Sequence, residues 1–118
     1  MATENDHPLA DALLLDLFPQ LANPTIRTAV QAVLKERAAQ DAKWGEQNHD
    51  PFVYLVVLME EVGELSQAVL HARYGGHAAA GVRTEAVQVA AVALALIECL
   101  YRGKWRWGSG ALPVEAKP

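Results

Sequence analysis

Apolar positions in this chain recur at intervals of three and four residues, the spacing that gathers side chains on one face of a helix. Ile26, Val30, Val33 and Leu34 keep this spacing in one segment, and Leu55, Leu58, Val62, Leu65 and Val69 keep it in another. Four helices are predicted. The first covers about residues 8–18 and is closed by Pro19. The second opens on Asn23-Pro24, a capping side chain followed by proline at the first helical position; it runs to about Lys43, and Gly45 ends it. The third opens in the same way on Asp50-Pro51, continues to about Arg73 and is stopped by Tyr74-Gly75-Gly76. The fourth starts near Arg83-Thr84 and ends around Arg102-Gly103. Residues 52–58 have the composition of a strand, but the helical spacing and the flanking caps outweigh it. The expected fold class is all-α: a helical bundle completed by oligomerisation, with residues 1–103 as a single domain. Residues 104–118, in which Trp105 and Trp107 alternate with Lys104 and Arg106, are expected to form a C-terminal tail.

Composition narrows this picture. The 118 residues make one domain, and 52% of them are apolar. A small domain with that much apolar material often buries part of it against another copy of itself, so a homodimer or homotetramer is expected. The net charge of −4 gives no general attraction to nucleic acid or an anionic membrane. The longest apolar stretch, residues 86–100, is interrupted by Gln88 and Glu98 and falls short of the roughly 18–20 residues that span a bilayer. It is expected to be a buried helix. The single cysteine, Cys99, excludes an internal disulfide framework and fits a cytoplasmic location. The start of the chain, residues 1–6, is acidic and lacks the basic opening of a secretory signal.

The candidate chemistry lies in carboxylates. Glu60, Glu61 and Glu64 form an E-E-x-x-E pattern that points to nearly one side of the third helix. The residues four positions away are Val56, Val57, Leu65 and Ala68, so no lysine or arginine on the helix offsets the repulsion. On the fourth helix Glu85 and Gln88 have i,i+3 spacing at the edge of an apolar run. Polar groups entering a buried helix need partners. Helices joined by a short loop pack antiparallel, which would bring the two sets together, offset along the axis unless residues 77–80 extend the fourth helix. Carboxylate oxygens with one amide oxygen are hard ligands that suit Mg²⁺ or Mn²⁺. Di-iron chemistry needs Glu-x-x-His pairs, and the only such spacing, Glu4 to His7, precedes Pro8 at the chain's start. Before the third helix, Lys43, Trp44, Gln47 and His49 lie in a polar, varied stretch. Lysine can neutralise phosphate, tryptophan can stack on a base, and Gln and His can read its edge.

Taken together, Lys43-Trp44-Gly45-x-Gln47, Glu60-Glu61-x-x-Glu64 and Glu85-x-x-Gln88 resemble the MazG-like branch of the all-α nucleoside triphosphate pyrophosphohydrolases, over about residues 36–100. The resemblance implies a helical dimer or dimer of dimers that hydrolyses a (deoxy)nucleoside triphosphate to monophosphate and pyrophosphate with Mg²⁺. It maps Glu61, Glu64 and Glu85 as metal ligands, and Glu60 as a further ligand or as the base for the attacking water. The family pattern ends in E-x-x-D, whereas this chain has Gln88, which can ligate through oxygen but brings no charge. Two other readings stay open: a non-catalytic nucleotide-binding or regulatory protein on the same fold, and a helical interaction module whose acidic patch meets a basic partner.

Overall fold

The computed structural model of the chain describes residues 8–77 and 80–108. They form four α-helices: α1 (Pro8–Leu17), α2 (Pro24–Trp44), α3 (Pro51–Tyr74) and α4 (Val82–Arg102), with a 3₁₀ turn at Pro19–Ala22 between the first two. No strand occurs among the described residues, so the all-α reading of the sequence holds. The chain divides into two compact units, residues 1–32 and 33–118.

In the first unit, Pro19 ends α1 and opens the 3₁₀ turn that the sequence did not predict. The Asn23 side chain accepts from the backbone N–H of Thr25 at 2.9 Å, as a capping residue should. Arg27 reaches back and donates twice to the Leu21 carbonyl, at 3.0 and 2.7 Å, pinning the turn to the first coil of α2.

The second unit holds the rest of α2, all of α3 and α4, and the segment after α4. Asp50 caps α3 by accepting from Val53 N–H at 3.1 Å, with Pro51 at the first helical position. Helices α3 and α4 pack along one another. Val53, Tyr54, Val57 and Ala68 of α3 and Ala91, Val92, Ala95 and Cys99 of α4 are buried. The small residues at 68, 91 and 95 let the helices approach, and burying Val92 alone stabilises the fold by roughly 1.5–3 kcal/mol. Leu96 and Trp105 pack on the cluster of Tyr54, Ala95 and Cys99. Trp105, placed by the sequence in a tail, thus joins the core, while Trp107 stands edge-on to it at 5.0 Å and is exposed. Residues 109–118 lie outside the described residues.

One expectation needs correction. Helix α4 is not buried on all sides: Ile97, Leu100 and Tyr101 are exposed, on the sides that α3, Arg37 of α2 and Trp105 leave open among the described residues. It is also longer than its apolar stretch, and by length and composition alone Val82–Arg102 is sufficient to cross a membrane. Its Glu98 is paired with Arg37. The start of α4 agrees with the expected one near Arg83-Thr84. Helix α4 does not extend back to His77; it begins at Val82, with Gly81 as its N-cap and no side chain satisfying its first amides.

Candidate metal centre

Helix α3 presents Glu61 and Glu64 on the side that carries Val57 and Ala68, the side facing α4. Glu85 comes from the first turn of α4. One ligand oxygen from each of Glu61, Glu64 and Glu85 lies within 4.8 Å of the other two. Glu61 and Glu85 are buried and Glu64 is half-buried. The i,i+3 spacing on α3 and the antiparallel partner were legible in the sequence; the axial offset was the open difficulty.

The connection removes that difficulty. A seven-residue link from 75 to 81 can span up to about 23 Å when extended, at about 3.3 Å per residue. Gly76 lies against the His71 ring five residues earlier: a Cβ there would stand 2.9 Å from the imidazole Cδ2, and its φ of +123° is a glycine conformation. The start of α4 thus stands beside the middle of α3 rather than beside its end.

Glu60 is exposed and lies outside the group of three, on the flank of α3. Gln88 follows one turn after Glu85 and is half-buried. The stretch before α3 occupies the other end of the helix pair. His49 is fixed there by its carbonyl, which accepts from Cys99 Sγ at 3.4 Å in the last turn of α4. Cys99 lies 14 residues beyond Glu85, about 21 Å along the helix at about 1.5 Å per residue. Asp50 precedes Glu61 by 11 residues, about 16 Å on the same measure. Within one chain, then, Gln47 and His49 lie together beside Tyr54 at the start of α3, about three turns from the carboxylates, and Lys43 and Trp44 lie together at the end of α2.

That stretch is held by residues the sequence did not single out. Arg102 donates to the Gln47 carbonyl at 2.9 Å and to Asn48 Oδ1 at 3.0 Å, and Tyr54 OH donates to the same carbonyl at 2.8 Å. Burial, then Cys99, push the Tyr54 pKa well up, so this hydroxyl stays a donor. Asp50 Oδ2 accepts from Gly108 N–H at 2.9 Å while its other oxygen caps α3, so one buried carboxylate secures both segments. Glu46 is held below the usual carboxylate range by Asn48 first and then by Lys104. Exposed Lys43 lies over the ring of half-buried Trp44 at 4.7 Å at the end of α2.

A second polar group escaped sequence reasoning. Buried Arg37 of α2 donates to Glu98 at 2.6 Å, to Gln40 at 3.0 Å and to Asp41 at 3.0 Å. Burial opposes its charge, but Glu98 and Asp41 together outweigh that and raise its pKa. The partners Arg37 and Glu98 are 61 residues apart, and no local spacing signals such a pair.

Glu61, Glu64 and Glu85 could hold a metal ion. One oxygen from each of three carboxylates on two helices lies within 4.8 Å of the others, and carboxylate oxygens suit Mg²⁺ or Mn²⁺ over softer metals. Neither a family model, nor a curated protein, nor a solved structure matches this chain.

Proposed function

We propose that the chain is a Mg²⁺-dependent nucleoside triphosphate pyrophosphohydrolase of the all-α, MazG-like kind, acting in the cytoplasm as a homo-oligomer. The observation that carries this reading is the convergence of Glu61, Glu64 and Glu85 from two helices. These three side chains would hold the cation, with Gln88 able to add a neutral oxygen one turn along α4. When bound, the ion supplies charge neutralisation for phosphate oxygens and acidifies a water. Exposed Glu60, beside the cluster but outside it, suits the role of base toward a water better than that of ligand. Lys43, Trp44, Gln47 and His49 serve the base or sugar in this reading. The separation of Gln47 and His49 from the carboxylates requires either a nucleotide extended along α3 or the same stretch from a second copy.

Gln88 favours a second reading, a nucleotide-binding protein on the same fold without turnover, because an amide leaves the site one negative charge short of four carboxylates. Pyrophosphate release across a panel of canonical-base and modified triphosphates, with Mg²⁺ or Mn²⁺, separates the two. Turnover of any member is expected. Nucleotide binding with no turnover anywhere would leave only the second reading, and no binding at all would remove both.

A further inference from the structure

Residues 45–50 run from α2 to α3 without helix or turn. In an extended run successive side chains go to opposite sides, and the alternate positions here have different partners. Glu46, Asn48 and Asp50 are bound by the end of α4 and the segment after it. Asn48 Oδ1 accepts from Arg102 Nε at 3.0 Å, and Asn48 Nδ2 donates to Glu46 Oε2 at 3.0 Å. Glu46 Oε1 lies 3.4 Å from Arg102 Nε, and Glu46 Oε2 accepts from Lys104 Nζ at 3.4 Å. Asp50 Oδ2 takes the Gly108 N–H. Gln47 and His49, at the positions between, differ. Neither the Gln47 side-chain amide nor the buried His49 Nε2 has a hydrogen-bond partner among the described residues.

The main chain at those two positions is fixed nonetheless. The Gln47 carbonyl accepts from Arg102 Nη2 at 2.9 Å and from Tyr54 OH at 2.8 Å, and the His49 carbonyl accepts from Cys99 Sγ at 3.4 Å. Half-buried Arg102 therefore meets three consecutive residues, 46, 47 and 48, with one planar fork, a geometry that lysine cannot reproduce. The segment after α4 is itself anchored, because Trp105 packs on Tyr54, Ala95 and Cys99. A run held by its carbonyls and by alternate side chains, with a polar amide left over, has lost its conformational freedom before any ligand arrives. Such preorganisation strengthens binding, since less ordering remains to be done.

We propose that Arg102 is a positioning residue: with the segment 104–108 it fixes the run 46–50, so that the Gln47 amide meets the base or sugar of the nucleotide in one arrangement. This rests on the reading above, in which Gln47 serves the nucleotide. Arg102 does not touch the substrate and acts through the Gln47 peptide. Without it the run samples several shapes, and the apparent affinity falls in proportion to the share of chains in the right one. The carboxylates stand about three turns away along α3, so the chemical step is left as it was.

Arg102→Gln removes the fork, and Arg102→Lys keeps the charge with a single point of donation. Arg37→Met is the control, because its contacts to Glu98, Gln40 and Asp41 do not involve residues 46–50. Deuterium uptake at the amides of residues 46–49 should rise about tenfold or more in Arg102→Gln and stay at the wild-type rate in Arg37→Met. The kinetic probe is the triphosphate of the panel above that the wild type takes best. For Arg102→Gln its KM, or its dissociation constant where there is no turnover, should rise about tenfold or more with kcat within about twofold, and Arg102→Lys should recover part of the loss. Asp50→Ser keeps a capping oxygen for α3 and loses the bond to Gly108, so it should move uptake and KM in the same direction by less. Unchanged uptake in both Arg102→Gln and Asp50→Ser would overturn the hold on the run. Raised uptake with a wild-type KM would overturn the positioning role and leave the hydrolase standing. An equal rise of KM in Arg37→Met would also overturn it, since lost stability would then account for the effect. A wild type that takes no nucleotide would overturn the functional reading itself, and the positioning role with it.

Discussion

Replacing Glu61 by glutamine preserves the shape of a buried side chain and removes one of three converging charges. Removing a group that merely orients a ligand typically weakens metal affinity about 10–100-fold. Loss of a ligand itself should therefore weaken Mg²⁺ binding by at least about a hundredfold and remove turnover, with the helical signal intact. Titration calorimetry with Mg²⁺ alone checks this, and undiminished binding would take Glu61 out of the site. His49 offers a test at the other end of the helix pair. Its Nε2 is buried with no hydrogen-bond partner among the described residues, and burial lowers its pKa, with Asp50 opposing in part. The unfolded chain takes up the proton near pH 6.5 and the folded chain resists it, so the stabilisation is full above about pH 6.5 and is lost as the pH falls through the folded value. Thermal stability should drop between about pH 7.5 and 5.5, and the drop should shrink in His49→Phe, which keeps the edge-on ring contact with Tyr54. An identical drop in the variant would show that other groups cause it.

Among the elements, α2 is tied to α4 by the Arg37 guanidinium. Arg37 carries both the contact to Glu98 and the local bonds to Gln40 and Asp41. Breaking a fully buried pair costs about 3–5 kcal/mol; here Glu98 is 37% exposed and the cost should be nearer 1–3 kcal/mol. Urea unfolding of Arg37→Met measures it, and an unchanged midpoint would make the pair incidental. The sequence made the elements themselves readable. Asn23-Pro24 and Asp50-Pro51 marked two helix starts to the residue, and Gly45, Gly75 and Gly103 fell where helices end, because caps and stops are local chemistry. The E-x-x-E of α3 and Glu85 of α4 were legible for the same reason. Their register was not, because no local spacing fixes how far along α3 the first turn of α4 lies. Nor were Arg102 on Gln47 or Asp50 on Gly108, since those bonds join positions more than 50 residues apart.

For the molecule as a whole, a cation held by α3 and α4 would stabilise the folded state by mass action, because the unfolded chain does not assemble the three carboxylates. At a hundred times its dissociation constant the gain is about 2.7 kcal/mol. Mg²⁺ should therefore raise the melting temperature of the wild type and leave Glu61→Gln unmoved; equal shifts in both would point to a non-specific salt effect.

Gly81 gives the same cation a further consequence. A helix that begins on glycine leaves its first amides to water, so the opening turn of α4 is where solvent deuterium should enter this helix most readily. Glu85 sits at that turn. An ion gripping Glu85 together with Glu61 and Glu64 would clamp a frayed end against the rigid middle of α3. Deuterium uptake over residues 82–85 should slow on adding Mg²⁺ while uptake in the centre of α4 stays constant, and an unchanged rate at 82–85 would mean that Glu85 holds no ion.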